Sequence, residues 1–180
     1  MNYKKIVFAG GGVLVSQIAF QSAYCGYDVT IWLRSEDSKT RTQPKLDALK
    51  KDYIKTIESL NPHDENSWAR GISDIDNFNK ADCLKKVENA YNSIKLEVDM
   101  KEAVKDADLV IESMAEIKDE KIKFYQTLAP LLEEKTIIVT NSSTLLPSMF
   151  AKYTGRAEKY LSLHFANTIW IKNTAEVMAH

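Results

Sequence analysis

Apolar residues in this chain fall into short runs separated by glycine and polar punctuation, and their spacing switches repeatedly between strand and helix periods. Ile6 to Ala9 form an apolar run closed by Gly10-Gly11-Gly12, helical spacing follows from Val13 through Ala23, and strand character resumes after Gly26, from Asp28 to Leu33. Leu46, Leu49, Tyr53, Ile54 and Ile57 predict a helix over Pro44 to Leu60, ended by Asn61-Pro62. A second helix is predicted over Asn79 to Tyr91, with Asn61 to Asn77 as polar connection, so that residues of about 43–92 form a helical hairpin inserted after the second strand. From Ile94 the alternation returns: IKLEVD as a strand, Met100 to Asp106 as a short helix and DLVIES (108–113) as a buried strand. A long amphipathic helix follows over Glu116 to Glu134 through Ile117, Ile122, Phe124, Tyr125, Leu128, Leu131 and Leu132, and then the β-branched strand TIIVT at 136–140. After Asn141-Ser142-Ser143-Thr144, a short helix around Leu145 to Lys152 leads to the strand YLSLHF, and the terminal EVMAH suits an edge strand. Strands alternating with helices through short links predict an α/β fold with a mostly parallel, doubly wound sheet, whose ligands lie beyond the carboxyl ends of the strands.

The length and composition fit one such domain over residues 1–180. The chain has 180 residues, and its 44% hydrophobic content supports a packed core. Twenty-four basic against 25 acidic side chains leave a net charge of −1, so no global field draws the protein to nucleic acid or to an anionic membrane. Cys25 and Cys83 are too few and too far apart to suggest a disulfide scaffold or a metal site. The N-terminus lacks the apolar core of a secretory signal and no run approaches a membrane span, so a soluble, cytoplasmic protein is expected. Between about Thr40 and Asn92 Lys, Asp, Glu and Asn crowd, and Lys45, Lys50 and Lys51 read better as a solvated helix face than as phosphate ligands.

Strand, glycine turn, helix and second strand in succession make the opening Rossmann-like, a βαβ unit that seats a dinucleotide. Gly10 can take a backbone conformation closed to other residues, Gly12 keeps side chains away from a pyrophosphate, and the helix start at Val13 and Leu14 points free N–H groups at it. Two positions depart from the G-x-G-x-x-G fingerprint. Val15 stands where the third glycine falls, which predicts a helix pushed slightly off its strand and weaker cofactor binding. Leu33 stands where an Asp or Glu normally bonds the ribose hydroxyls. With Arg34 and Ser35 placed to donate and Lys39 and Arg41 able to add charge, the site accepts NAD or NADP with a lean to NADP; in the alternative, Arg34 is solvated and Leu33 packs against adenine.

Ser143, His164 and Glu176 fall at the carboxyl ends of successive strands. A histidine backed by a carboxylate takes a proton from an alcohol while a nearby hydroxyl holds the reacting oxygen, which is the apparatus for alcohol-to-ketone oxidation. Each also has a plainer reading: Ser143 as a helix N-cap, His164 as a core histidine bonded to backbone, Glu176 as surface charge.

Through GGGVLVSQIA, DADLVIESMAEIKDEK, TNSSTL and LHFAN with AEV, the chain resembles the N-terminal domain of the L-3-hydroxyacyl-CoA dehydrogenase family over essentially its whole length. In that family N-[TS]-S-S precedes L-H-F-x-N-P and an E-V follows; Ser143, His164, Asn167 and Glu176 match in type and spacing. The resemblance implies that His164 is the general base, Glu176 its orienting partner and Ser143 a donor to the substrate oxygen. It further implies that Glu116 and Lys121 approach the nicotinamide end of the cofactor, that Asn141 lines the same cleft, and that the hairpin covers the CoA of an acyl-CoA substrate; no metal is expected. Thr168 replaces the family's proline, Ala166 an aromatic, Val15 the third glycine and Leu33 the ribose acid. Family members continue into an all-helical second domain that closes the site, adds a catalytic Asn and makes most of a homodimer contact. The expectation is therefore a truncated or remnant domain that binds dinucleotide and turns over weakly. A dehydrogenase of a small hydroxy acid without CoA and a non-catalytic dinucleotide sensor are the competing readings.

Overall fold

The computed structural model describes residues 3–64 and 68–180. Its frame, among the described residues, is a seven-stranded sheet in the order β3-β2-β1-β4-β5-β6-β7. The strands are β1 (Lys5–Ala9), β2 (Asp28–Trp32), β3 (Lys95–Glu97), β4 (Leu109–Glu112), β5 (Ile137–Thr140), β6 (Tyr160–Phe165) and β7 (Ala175–Met178). All neighbours pair in parallel except β7, which returns antiparallel along β6 and sets Glu176 opposite His164. The order reverses between β1 and β4, so the connections leaving their carboxyl ends run to opposite faces of the sheet and open a crevice. The expected doubly wound α/β architecture and the edge strand at EVMAH are both present.

Strand residues alternate between two helical layers, which is why the central strands are apolar at nearly every position. Ile6, Phe8, Val29, Ile31 and Ile111 face a core completed by α1 (Val13–Tyr24), α2 (Glu36–Ser59) and α3 (Lys80–Ser93). Val7, Ala9, Trp32, Val110 and Ile138 face the other way, against α4 (Met100–Val104), α5 (Lys118–Leu128) and the segment around Phe150. In the first layer, fully buried Tyr53 on α2 lies 4.7 Å from the ring of Phe20 and 5.2 Å from that of Trp170, and its hydroxyl donates to Gln21 Oε1 at 2.5 Å. Trp170 belongs to α6 (Ile169–Lys172), whose carbonyls accept from Gly71 N (3.0 Å) and Arg70 N (3.3 Å). A Cβ on Gly71 would sit 2.7 Å from Trp170 backbone, so glycine is what lets the hairpin connection lie against the chain leaving β6.

Several boundaries differ from those the sequence predicts. The hairpin's first helix starts at Glu36 and runs through Pro44. Thr40 and Pro44 are both exposed, so the carbonyl that the missing N–H leaves free lies on the solvent side of the helix. The long helix at 116–134 is α5 alone, because Pro130 tightens its end into a 3₁₀ turn at Ala129–Leu131. The predicted helix over 145–152 is a pair of 3₁₀ turns, Pro147–Met149 and Ala151–Tyr153. The connection 61–77 includes a 3₁₀ turn at Ile75–Asn77, and residues 65–67 of it lie outside the described residues. Val15 is only 1% exposed and packs within the first core.

Asp108 ties the amino ends of β1 and β4 to the β5 side of the sheet. Its carboxylate accepts from Lys135 Nζ (2.8 Å), Lys4 N (2.8 Å) and Lys5 N (2.9 Å). The Lys135 bond first, and then the two backbone donors, hold its pKa well below the usual carboxylate range. A carboxylate depressed in the folded state contributes stability above its unfolded pKa of about 4, and the contribution fades as pH falls toward the folded value. Asp108→Asn is expected to cost about 1–2 kcal/mol at pH 7, with the gap from the parent closing as urea titrations move from pH 5 to pH 2.5. A gap that stays constant across that range refutes this linkage.

Candidate active site

At the crevice between β1 and β4, three strand ends supply a cleft of about 410 Å³: Gly10 to Gly12 after β1, Trp32 to Arg34 at the end of β2, and Ser113 to Ala115 after β4. Gly10 has φ +128°, and a Cβ there would meet Ser113 O at 2.5 Å; at Gly11 a Cβ would meet Thr42 Oγ1 at 2.4 Å and Leu33 Cδ2 at 2.7 Å. Gly12 faces open space, its nearest neighbour to such a Cβ being Val15 at 4.0 Å. The first two glycines are therefore required by the protein's own packing, and the third leaves room for a ligand. Gly12 caps α1 with no side-chain bond and no acid stands in the first turn, so the N–H groups of Val13 and Leu14 face a site suited to an anion. Val13 is exposed, and Leu14 packs partly on the core. These features fit a dinucleotide pyrophosphate.

The flank of the cleft is basic. Lys45 Nζ donates to Gly11 O (2.6 Å) and Arg41 O (3.0 Å), so this lysine lines the cleft and does not belong to the solvated face predicted for it. Lys50, by contrast, pairs with Glu88 on α3 at 2.9 Å. Leu33 is 2% exposed, turned under the glycine turn. Arg34 pairs with Glu120 at 3.0 Å, Arg41 Nη2 donates to Ser38 Oγ at 2.9 Å, and Lys39 is paired with Glu36 away from the cleft.

Farther along the same sheet edge lie the three residues of the predicted chemistry. Ser143 Oγ is 3.1 Å from His164 Nε2, and His164 Nδ1 is 3.9 Å from Glu176 Oε2 across the β6–β7 pair. The plainer readings of Ser143 and His164 do not hold: Ser142 is the residue whose hydroxyl accepts from Leu145 N (2.9 Å), and the His164 ring faces side chains. With its proton on Nδ1, toward Glu176, the imidazole presents a basic Nε2 beside the Ser143 hydroxyl.

Three further candidates stand around this pair, and none lies on the wall of the dinucleotide cleft. Asn141 spends its amide on Ser113 Oγ (3.2 Å) and the Phe165 N–H (3.0 Å), binding the ends of β4, β5 and β6 together. Glu116 accepts from Ser142 Oγ at 2.6 Å and Thr144 Oγ1 at 3.3 Å. Lys121 cannot touch a cofactor as the resemblance implied, because its side chain is fully buried, 2.6 Å from Glu112 Oε1 and 3.8 Å from Glu116 Oε1. Glu112, also fully buried, accepts in addition from Met114 N (2.7 Å), Tyr125 OH (2.9 Å) and Thr140 Oγ1 (2.8 Å). Burial, ahead of the charge on Glu112, keeps Tyr125 protonated far above its ordinary pKa, and Tyr160, which bonds it at 3.1 Å, is pushed up to about 12. Sequence reasoning missed Glu112 and Ser142. A carboxylate closing the apolar run DLVIE, with a lysine nine residues on, was the available signal.

Thr168, where the family pattern has proline, sits at φ +56° and donates its N–H to Gln17 Oε1 at 2.8 Å. Proline can do neither, so the departure is built into the backbone.

Residues 5–180 match the family described as 3-hydroxyacyl-CoA dehydrogenase, NAD binding domain. The chain belongs to that family. It is 29% identical over 175 residues to a 3-hydroxybutyryl-CoA dehydrogenase of Clostridioides difficile, covering 97% of this chain and 54% of that protein. Against the mitochondrial hydroxyacyl-coenzyme A dehydrogenase of Homo sapiens the identity is 25%, covering 97% and 50%. Among solved structures, a diketoreductase described as acting on dicarbonyl compounds superposes with a TM-score of 0.80 at 38% identity, over 98% of this chain and 55% of that one. The chain spans about half the length of these relatives. Among the described residues no helix is long and apolar enough to cross a membrane.

Removing Lys121 strands a buried carboxylate. Lys121→Met is expected to cost about 3–5 kcal/mol in urea unfolding, and the double variant with Glu112→Gln less than the two single losses added together. A cost below about 1 kcal/mol for Lys121→Met counts against a structural role for the pair.

Proposed function

We propose that the chain is the cofactor-binding and proton-transferring half of an NAD(P)-dependent dehydrogenase that interconverts the 3-hydroxy and 3-keto groups of an acyl-CoA. The observation that carries this reading is the Ser143–His164 contact of 3.1 Å with Glu176 opposite on β7, at the same sheet edge as a glycine cleft. The bound nicotinamide supplies a hydride acceptor or donor. His164 Nε2 removes the hydroxyl proton as the carbinol carbon gives up its hydride, and returns that proton in the reverse direction; Glu176 stabilises the imidazolium, and Ser143 holds the oxygen. Glu116 sits at the nicotinamide-ribose end, positioned from beneath by Lys121, and Asn141 acts by holding the strand ends. Glu176 is 71% exposed, so exclusion of water, and with it most of the rate, falls to a helical second domain of the kind that closes the site and dimerises in the family. The two unpaired cysteines suit a reducing cytoplasm.

A second reading, reduction of a dicarbonyl compound without CoA, is favoured by the 38% identity to the diketoreductase. The chemistry is shared, because a 3-ketoacyl thioester is itself a 1,3-dicarbonyl.

The chain is expected to consume NAD(P)H slowly with acetoacetyl-CoA. His164→Gln is expected to lower that rate by roughly 10²–10⁴-fold and to leave cofactor titrations unchanged. Turnover by His164→Gln equal to the parent's removes the histidine from the mechanism. Protection of the exposed hairpin lysines Lys51 and Lys55 from acetylation by CoA supports the acyl-CoA substrate, and absence of protection supports the free dicarbonyl.

A further inference from the structure

We infer that the adenosine end of the cleft is built to hold a 2′-phosphate, so that NADP(H) is the preferred cofactor, an inference that rests on the dinucleotide reading above. Three cations, Arg34, Arg41 and Lys45, line the cleft, and among the described residues no carboxylate does. The β2 end, where a dinucleotide's ribose hydroxyls find an acceptor, carries Leu33, and that side chain is buried 2.7 Å from the position a Cβ on Gly11 would take. It offers the ribose nothing to bond, and no negative charge to repel a phosphate.

The donors stand on either side of this apolar floor. Arg34 follows Leu33 directly; its Nη1 is tied to Glu120 at the rim, which fixes the guanidinium while its remaining N–H groups stay available for an anion. Arg41 comes from the second turn of α2 and holds Ser38 Oγ through Nη2, so a guanidinium and a hydroxyl approach the cleft together. Glu36 and Asp37, the acids in the first turn of α2, do not line the cleft. Lys45 adds charge deeper in, at the Gly11 carbonyl, beside the turn that takes the pyrophosphate. A 2′-phosphate brings roughly 1.5 to 2 negative charges and strong acceptor oxygens to this set, whereas the 2′-hydroxyl of NAD brings none.

The test is a parallel titration of the chain with NADPH and NADH by nicotinamide fluorescence, with 2′,5′-ADP and 5′-AMP as competitors. NADPH is expected to bind roughly tenfold or more tightly than NADH, as one or two charge-assisted bonds imply. 2′,5′-ADP is expected to compete better than 5′-AMP. Arg34→Gln and Arg41→Gln, both exposed positions, are expected to weaken NADPH several-fold each and to leave NADH within about twofold. NADH binding as tight as NADPH, with the two competitors equal, overturns the inference and leaves the dinucleotide site standing. Failure of both nucleotides to bind removes the dinucleotide reading as well.

Discussion

The carboxylate of Glu112 is the interaction on which the candidate active site depends. It closes β4, the strand beside the switch point, and it is buried completely, with four donors converging on it: Lys121, Tyr125, Thr140 and the Met114 backbone. Those donors come from α5, from β5 and from the turn leaving β4. Satisfying one buried charge thus locks three elements at one depth. Lys121 carries the effect outward to Glu116, which in turn holds Ser142 and Thr144 on either side of Ser143. The exposed Ser143 is positioned by a chain of contacts whose anchor lies in the core.

The dinucleotide cleft obeys a different constraint, which is backbone proximity. The turn after β1 passes so close to Ser113 and Thr42 that its first two glycines cannot carry side chains. Where the chain departs from the glycine fingerprint, the altered side chains go inward: Val15 and Leu33 both add to the core. The cations that line the cleft are Arg34, just before α2, and Arg41 and Lys45 on it. That helix extends well before Pro44, and the extension is what carries Ser38 and Arg41 to the cleft.

The hairpin is held to the sheet edge that carries His164 through the segment that follows β6. Thr168 takes a left-handed conformation to reach Gln17, and Trp170 then stacks on Tyr53 and meets Gly71. The left-handed conformation of a β-branched residue costs of order 1–3 kcal/mol, and here it is flanked by the Gln17 bond and the packing of Trp170. One short segment therefore sets where α2 and α3 sit relative to His164.

Strand and helix order, the glycine turn, and the convergence of Ser143 and His164 on one edge were legible from sequence, because alternating apolar runs dictate a parallel sheet and a parallel sheet aligns its strand ends; Glu176 meets them from near the start of the antiparallel β7. The start of α2 was not: Pro44 reads locally as a helix start, and only the solvent exposure of Thr40 shows why the helix tolerates it. Lys45 was misplaced for a related reason: its pattern position puts it on a helix face, but its environment depends on what packs there, here a glycine carbonyl. The place given to Lys121 came from the family resemblance, and its burial against two carboxylates has no local signature. Periodicity along the chain determined which elements form and which ends meet; the burial of charge and the reach of long side chains, being contacts between residues distant in sequence, were decided only by the tertiary structure.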